Sequence, residues 1–184
     1  SFLASSGFTS LDVSTEPCQR NTFPAILLAT TYLKDIKKIS SDETIIISPI
    51  DHYADKDFYD KLSKLDELVQ KGDSNLYLMG IKPNKPSSKF GYIFPKDDNE
   101  VTDVIEFKEK PSKDMAIQYM EKNPLWNSGI FAFKLGYAIE KGHELIDFDD
   151  YYDLYSKYSE LEDISFDKAV VEKVDTKSIC EIID

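Results

Sequence analysis

Residues 43–52 read Glu-Thr-Ile-Ile-Ile-Ser-Pro-Ile-Asp-His, and this stretch decides the fold class. Its three consecutive isoleucines show no alternation of apolar and polar residues, which indicates a short strand buried on both faces. Such strands are typical of a parallel sheet that is covered by helices on both sides. Pro49 has no N–H to give to a central ladder, so we expect the strand to end before it. The stretch therefore predicts an α/β protein with a mostly parallel sheet and flanking helices.

Asp51 follows directly after this predicted strand. In open α/β sheets, ligands bind in the crevice outside the carboxyl ends of the strands. A carboxylate at that place can hold Mg²⁺ against a phosphate, because hard oxygen ligands suit a hard cation. The same side chain can instead cap the helix that we expect to begin near Lys56, or close a turn. Both interpretations stay open from this stretch alone.

The composition predicts one domain that covers residues 1–184, because 184 residues with 41% hydrophobic content can build a sizeable core. No apolar run reaches the ~18 residues needed to span a bilayer, so we expect no membrane contact. A net charge of −12 argues against a nucleic-acid surface, which needs a basic face. Cys18 and Cys180 fit no metal spacing and are expected to be free thiols of a cytoplasmic protein. The chain begins at Ser1 and ends just after a strand-like stretch, so we expect an interior segment of a longer protein.

Strand-like and helix-like segments alternate along the chain, which favours an α/β layer architecture. Helices are predicted over residues 24–38, 55–71, 113–122 and most of 136–173, and strands over residues 76–81, 90–94, 101–107, 130–133 and 178–183. The acidic, tyrosine-rich stretch 147–162 predicts a solvated helix whose tyrosines pack on the body. A partner-binding surface is the alternative interpretation of that stretch.

Four polar stretches, residues 16–22, 49–52, 109–111 and 126–129, lie at strand ends or helix starts, where backbone donors and crevices gather, and two further stretches bring the motifs to six. Taken singly, each has an ordinary explanation: Arg20 as a surface ion pair, Trp126 as a core residue, Asn127 with Gly129 as a turn. The motifs are Glu16-Pro17-x-x-Arg20-Asn21-Thr22, Pro49-x-Asp51-His52, Phe90-Gly91-Tyr92-Ile93, Phe107-x-Glu109-Lys110-Pro111, Trp126-Asn127-Ser128-Gly129 and Ser165-x-Asp167-x-Ala169-Val170.

In this order and spacing, the motifs resemble those of the mannose-1-phosphate guanylyltransferases (GDP-mannose pyrophosphorylases), which are sugar nucleotidyltransferases. The resemblance covers residues 16–173. It implies a Rossmann-like, GT-A-like nucleotidyltransferase fold, dependence on Mg²⁺, and the substrates GTP and mannose 1-phosphate with GDP-mannose as product. The sugar phosphate would attack the α-phosphorus of GTP and pyrophosphate would leave. Because that nucleophile is already an anion, positioning and charge neutralisation suffice without a general base.

The resemblance also implies a role for each motif residue. It makes Asp51 the metal ligand, and it makes Asp51 and Lys110 the catalytic residues, with the Lys110 ammonium facing the sugar phosphate. A carboxylate can accept from the N–H edge of guanine, and arginine offers two parallel donors to its acceptors. The implied nucleotide-binding residues are Glu16, Arg20, Asn21 and Thr22. The implied sugar-phosphate residues are Gly91, Glu109, Lys110, Asn127 and Asp167.

Two parts of the family pattern are missing from the sequence: the glycine-rich loop, and a second metal-binding Asp that the resemblance implies shortly after residues 179–183. The seven glycines are too widely spaced to build the glycine-rich loop whose N–H groups hold a triphosphate. We therefore expect a fold that lacks the N-terminal glycine-rich βα unit, and a segment that is inactive outside its full-length parent. Two alternatives stay open: a transferase for another nucleotide or hexose 1-phosphate, and a non-catalytic paralogue that binds a nucleotide sugar and regulates an enzyme. The oligomeric state is open too, with a homo-oligomer among the alternatives.

Overall fold

The computed structural model describes residues 13–49, 56–174 and 177–182 of the chain. The helices are α1 (Thr22–Asp35), α2 (Lys56–Lys71), α3 (Lys113–Met120), α4 (Leu135–His143) and α5 (Tyr151–Lys157), followed by a 3₁₀ turn (Tyr158–Glu160) and a π-helical turn (Asp167–Val171). The strands are β1 (Thr44–Ile47), β2 (Leu76–Ile81), β3 (Tyr92–Pro95), β4 (Val101–Lys108), β5 (Leu125–Lys134) and β6 (Lys177–Ile182). The predicted α/β class is confirmed.

The six strands of the described ranges form one sheet in the order β1-β5-β2-β6-β4-β3. Strand β5 pairs with β3 as well, so five of the strands form a closed ring. Among the described strands, β2 and β6 pair in parallel, and the other five pairings are antiparallel. The prediction of a mostly parallel sheet is therefore wrong.

The error arises because an unbroken apolar run reports burial on two faces and says nothing about the direction of the neighbouring strand. On one face of β2, Leu76 and Leu78 pack in a cluster with Phe166. On the other face, Tyr77 and Met79 pack against Leu65 of α2. Both faces of β2 are thus covered. The four residues of β1, which the sequence predicts to be buried on both faces, are half-buried at the edge of the described sheet, and β5 runs antiparallel between β1 and β2.

The start of α1 is fixed against residues 158–166, which follow α5. The Phe23 N–H donates to the Ile164 carbonyl at 3.2 Å, and the Phe166 N–H donates to Thr22 Oγ1 at 2.9 Å. The Phe23 and Phe166 rings lie 6.0 Å apart and both are fully buried. Two distant parts of the chain are therefore held together by backbone bonds and by aromatic packing.

The tyrosines of the acidic stretch 147–162 divide into two groups. Tyr158 is buried and Tyr151 is half-buried, whereas Tyr152 and Tyr155 are exposed. Part of this stretch therefore packs on the body of the protein, as predicted. Within the described ranges, no helix is both long enough and apolar enough to cross a membrane.

Truncating Phe166 should destabilise the protein strongly. Its ring contacts those of Phe23, Phe131 and Phe133 inside the core. We expect Phe166→Ala to lower the free energy of unfolding by about 3–5 kcal/mol, because the cavity cannot fully collapse. Ile117 of α3, which is 56% exposed, provides the control. Ile117→Ala should change the free energy of unfolding by about 0.5 kcal/mol or less. Urea unfolding measures both, and equal effects would contradict this account of the core.

Candidate functional site

The motif Trp126–Gly129 opens strand β5 and contains an irregularity of the sheet. The register between β2 and β5 shifts between Leu78 and Gly80, and Gly129 adopts a φ of 77°, which glycine tolerates best. Ser128 Oγ donates to the Met79 carbonyl at 2.7 Å and holds the two strands together there. Such bulges re-aim side chains and often lie beside functional sites. Here the bulge begins next to Asn127, which is half-buried. The motif is part of a strand and does not form a separate turn.

Five residues predicted for the sugar-phosphate side converge beside the start of β3. Asn127 N–H donates to the Gly91 carbonyl at 2.8 Å, and a Cβ at Gly91 would lie 2.9 Å from Glu109 Oε2. Asp167 and Lys110 complete the group through Asn127 and Glu109. We call Gly91, Glu109, Lys110, Asn127 and Asp167 the acid–lysine cluster.

Both ends of the Asn127 side-chain amide are hydrogen-bonded. Its Nδ2 donates to Asp167 Oδ1 at 2.6 Å, and its Oδ1 accepts from the Gly129 N–H at 3.1 Å. One N–H of the amide has no protein partner among these bonds. The amide is therefore held in one orientation with a donor to spare.

Lys110 is the cation of the cluster. Its Nζ lies 2.9 Å from Glu109 Oε1, and the Lys110 side chain is 62% exposed while that of Glu109 is 10% exposed. This bond raises the pKa of Lys110, and the Asp167 charge adds to the rise. Lys110 also adopts a φ of 36°, a region that residues with a Cβ seldom occupy and that is often found at functional sites. The ammonium thus projects from two partly buried carboxylates towards solvent.

Asp167 begins the π-helical turn, a conformation that is rare and frequent at functional sites. Burial, and after it the neighbouring Glu109 carboxylate, raise the pKa of Asp167 to about 6, against the lowering effects of Lys110 and Asn127. A carboxyl group with such a pKa changes its charge near neutrality, so the cluster can gain or lose a proton under mild conditions.

The four residues predicted for the nucleotide side share an open depression of about 310 Å³ at the start of α1. Glu16, Arg20, Asn21 and Thr22 line it together with Gln19, Ala25 and Asp163. Glu16 accepts a hydrogen bond from the Tyr158 hydroxyl at 2.5 Å. Burial, and then this bond, raise the pKa of Tyr158. Asn21 caps the helix by accepting from the Thr22 N–H at 2.9 Å.

Arg20 holds the backbone of residues 158–166. Its Nε donates to the Leu161 carbonyl at 2.9 Å, its Nη1 to its neighbour Gln19, and its Nη2 to the Ser159 carbonyl. Three of the five N–H donors of the guanidinium are occupied in this way. The predicted surface ion pair is replaced by bonds to carbonyls, and two donors remain for a ligand.

The predicted metal ligand, Asp51, lies outside the described residues. Within the described ranges, no group of three or more His, Cys, Asp or Glu side chains could hold a metal ion. The two carboxylates of the cluster are bonded to Lys110 and Asn127 instead. The described residues alone therefore do not form a Mg²⁺ site, and that site stays a prediction.

Sequence reasoning missed Tyr158, Asp163 and Gly129 as contributors to the site. Tyr158 bonds to Glu16, and Asp163 lines the same depression as Arg20. The members of each pair are more than 130 residues apart in the sequence. No local pattern signals such a contact. Gly129 was part of a quoted motif, but its role in shaping the strand needed the backbone conformation.

Known proteins are similar to this chain in sequence and in fold. The family described as Nucleotidyl transferase matches residues 4–167. A mannose-1-phosphate guanylyltransferase from Escherichia coli is 34% identical over 129 residues, which are 65% of this chain and 27% of that protein. The alginate biosynthesis protein AlgA of Pseudomonas putida is 30% identical over 133 residues, 68% of this chain and 26% of that protein. The chain thus spans about a quarter of the length of these curated relatives.

Solved structures share the fold. The crystal structure of a mannose-1-phosphate geranyltransferase from Thermus thermophilus has a TM-score of 0.78 at 25% identity, covering 98% of this chain and 55% of that one. The crystal structure of a mannose-6-phosphate isomerase from Helicobacter pylori has a TM-score of 0.70 at 26% identity. The match covers 90% of this chain and 70% of that one. These matches confirm the predicted nucleotidyltransferase-like α/β fold.

The raised pKa of Asp167 predicts a pH-dependent stability. Its pKa is about 6 in the folded protein against an ordinary value of 3.8. Between these values the folded state binds a proton that the unfolded state has lost, so stability decreases as pH rises through this window. The pKa difference corresponds to about 3 kcal/mol.

The variant Asp167→Asn cannot titrate and supplies the reference. The unfolding free energy of the variant minus that of the wild type should increase by about 2 kcal/mol between pH 4 and pH 7, because the full difference of about 3 kcal/mol is reached only below the unfolded-state pKa. Denaturant unfolding across this range measures the difference, in which any constant effect of the substitution cancels. Parallel pH curves for the two proteins would contradict the raised pKa.

Proposed function

The chain belongs to the nucleotidyl transferase family, and from this we propose that the complete protein carrying it transfers GMP from GTP to mannose 1-phosphate. The products would be GDP-mannose and pyrophosphate. The observation that carries the proposal is the acid–lysine cluster, in which motif residues from four separate parts of the chain meet beside the start of β3. The similarity to a mannose-1-phosphate guanylyltransferase supports the choice of nucleotide and sugar.

The cluster has the chemistry that a sugar phosphate requires. The exposed Lys110 ammonium supplies a point charge for the phosphate. Glu109 and the free N–H of Asn127 supply an acceptor and a donor for sugar hydroxyls. Gly91 allows the Glu109 carboxylate to lie against the start of β3, because a Cβ there would be 2.9 Å from Glu109 Oε2 and 2.8 Å from the Phe107 ring. In a chain of net charge −12, such a local cation has to offset an unfavourable mean field.

The depression at the start of α1 is the proposed nucleotide side. Glu16 can accept from the N–H edge of guanine, and the two remaining donors of Arg20 can serve its acceptors. We propose Mg²⁺ as the cofactor and Asp51 as its ligand. Bound there, the ion would neutralise phosphate charge during the transfer.

A substrate panel tests the proposal on the complete protein. Pyrophosphate release should be most efficient with GTP and mannose 1-phosphate and require Mg²⁺, compared with ATP, UTP or CTP and with glucose 1-phosphate. A higher kcat/KM for another pair would assign a different transferase activity. Binding of nucleotide sugars without turnover would indicate the regulatory role and contradict the proposal.

Substituting Lys110 should selectively weaken the binding of the sugar phosphate. We expect Lys110→Gln to raise KM for mannose 1-phosphate by about tenfold or more, because a charge-assisted bond to phosphate is lost. Lys113, exposed three residues further on, provides a matched control of equal charge change; Lys113→Gln should alter KM by about twofold or less. If both substitutions raise KM equally, general charge and not the cluster determines binding.

A further inference from the structure

We propose that Asp167 is a positioning residue, which fixes the side-chain amide of Asn127 so that its free N–H faces the bound sugar phosphate. This inference rests on the proposed function, because it assigns Asn127 to the sugar side of the same site. It gives Asp167 a role through its neighbour and no contact of its own with the substrate.

The orientation of the Asn127 amide is determined by two partners of opposite character. The Gly129 N–H can only donate, so the oxygen of the amide must face it, at 3.1 Å. The ionised Asp167 carboxylate can only accept, so the nitrogen must face it, at 2.6 Å. Neither bond can form if the amide is rotated by half a turn. Together they leave one defined N–H for a ligand.

Asp167 is itself held in place by backbone bonds on either side of it in the chain, one of which reaches the start of α1. The preceding residue, Phe166, is fully buried and donates its N–H to Thr22 Oγ1 at 2.9 Å. Ala169 N–H donates to the Ser165 carbonyl at 2.9 Å, and Glu172 N–H donates to the Asp167 carbonyl at 2.9 Å. The π-helical turn is therefore anchored at both ends, which gives the Asp167 carboxylate a fixed position.

Direct binding of the sugar phosphate by Asp167 is disfavoured by the same geometry. Its carboxylate is largely buried, one oxygen is bonded to Asn127, and the charged groups that face it are Glu109 and Lys110. The phosphate group of the ligand would be repelled by this carboxylate, and the remaining carboxylate oxygen belongs to a group that is much more deeply buried than the Lys110 ammonium. A buried acceptor that orients a neutral amide avoids that repulsion, because only Asn127 and Lys110 then present donors to the ligand.

A double-mutant cycle on the complete protein tests the proposal with mannose 1-phosphate and GTP. Asn127→Ala and Asp167→Ala should each lower kcat/KM for mannose 1-phosphate by about tenfold, the cost of one hydrogen bond. The double variant should lose no more than Asn127→Ala alone, because Asp167 acts through Asn127. KM for GTP should stay within about twofold in all three variants.

Asp167→Asn serves as the conservative variant. It keeps an oxygen that can accept from Asn127 Nδ2, so its loss of kcat/KM should be smaller than that of Asp167→Ala. Two results would overturn the proposal: losses of kcat/KM that multiply in the double variant, or equal losses of kcat/KM for Asp167→Asn and Asp167→Ala. The first result would give Asp167 an independent contact, and the second would give its charge the decisive role.

A measurement without turnover separates this inference from the proposed function. In complete protein labelled with ¹⁵N-asparagine, the side-chain amide signals of Asn127, assigned with Asn127→Ala, should shift with pH around a midpoint near 6, because protonation of Asp167 changes the acceptor. Asp167→Asn should abolish that titration. Signals of Asn127 that do not respond to pH or to Asp167→Asn would overturn the positioning role, even if the enzyme is active. Inactivity of the wild type with intact titration would contradict only the proposed function.

Discussion

Strand β5 fixes the candidate site and the sheet in one geometry, because it pairs with β1, β2 and β3. Its ten residues lie antiparallel to all three partners. The first half of the strand contains the irregularity at Gly129. The strand cannot slip by one residue without moving Asn127 away from Gly91 and Asp167, since side chains alternate between the two faces. The position of the functional amide is thus determined by pairing along the whole strand.

The electrostatics of the acid–lysine cluster follow from its burial. Glu109 and Asp167 are both partly buried, and among the described residues they share the ammonium of Lys110. Without a ligand, this group carries one negative charge more than it can neutralise within the cluster, and the raised pKa of Asp167 relieves part of that excess. A bound phosphate would compete with Glu109 for Lys110, which makes the protonation of this group and the binding of an anion interdependent.

The two sides of the site are connected through a short stretch of chain. Arg20 bonds to the Leu161 carbonyl, Thr22 bonds to Phe166, and the next residue is Asp167 of the cluster. Residues predicted for the nucleotide side are therefore anchored to the backbone that carries a residue of the sugar-phosphate side. Some residues that the sequence predicts as ligand contacts also stabilise the fold. Arg20 and Thr22 do so through their bonds to the backbone of residues 158–166.

The sequence by itself determined the α/β class and the ends of β1 and β2, and the resemblance carried by its motifs implied that Gly91, Glu109, Lys110, Asn127 and Asp167 lie together. Burial on two faces and turn chemistry are local properties, and the order of motifs is read directly from the chain. Only the tertiary structure decided the antiparallel direction of β5, the carbonyl partners of Arg20 and the bond between Asp167 and Asn127. These features depend on contacts between residues 40 to 141 positions apart, and the pattern of neighbouring residues carries no record of a partner so distant along the chain.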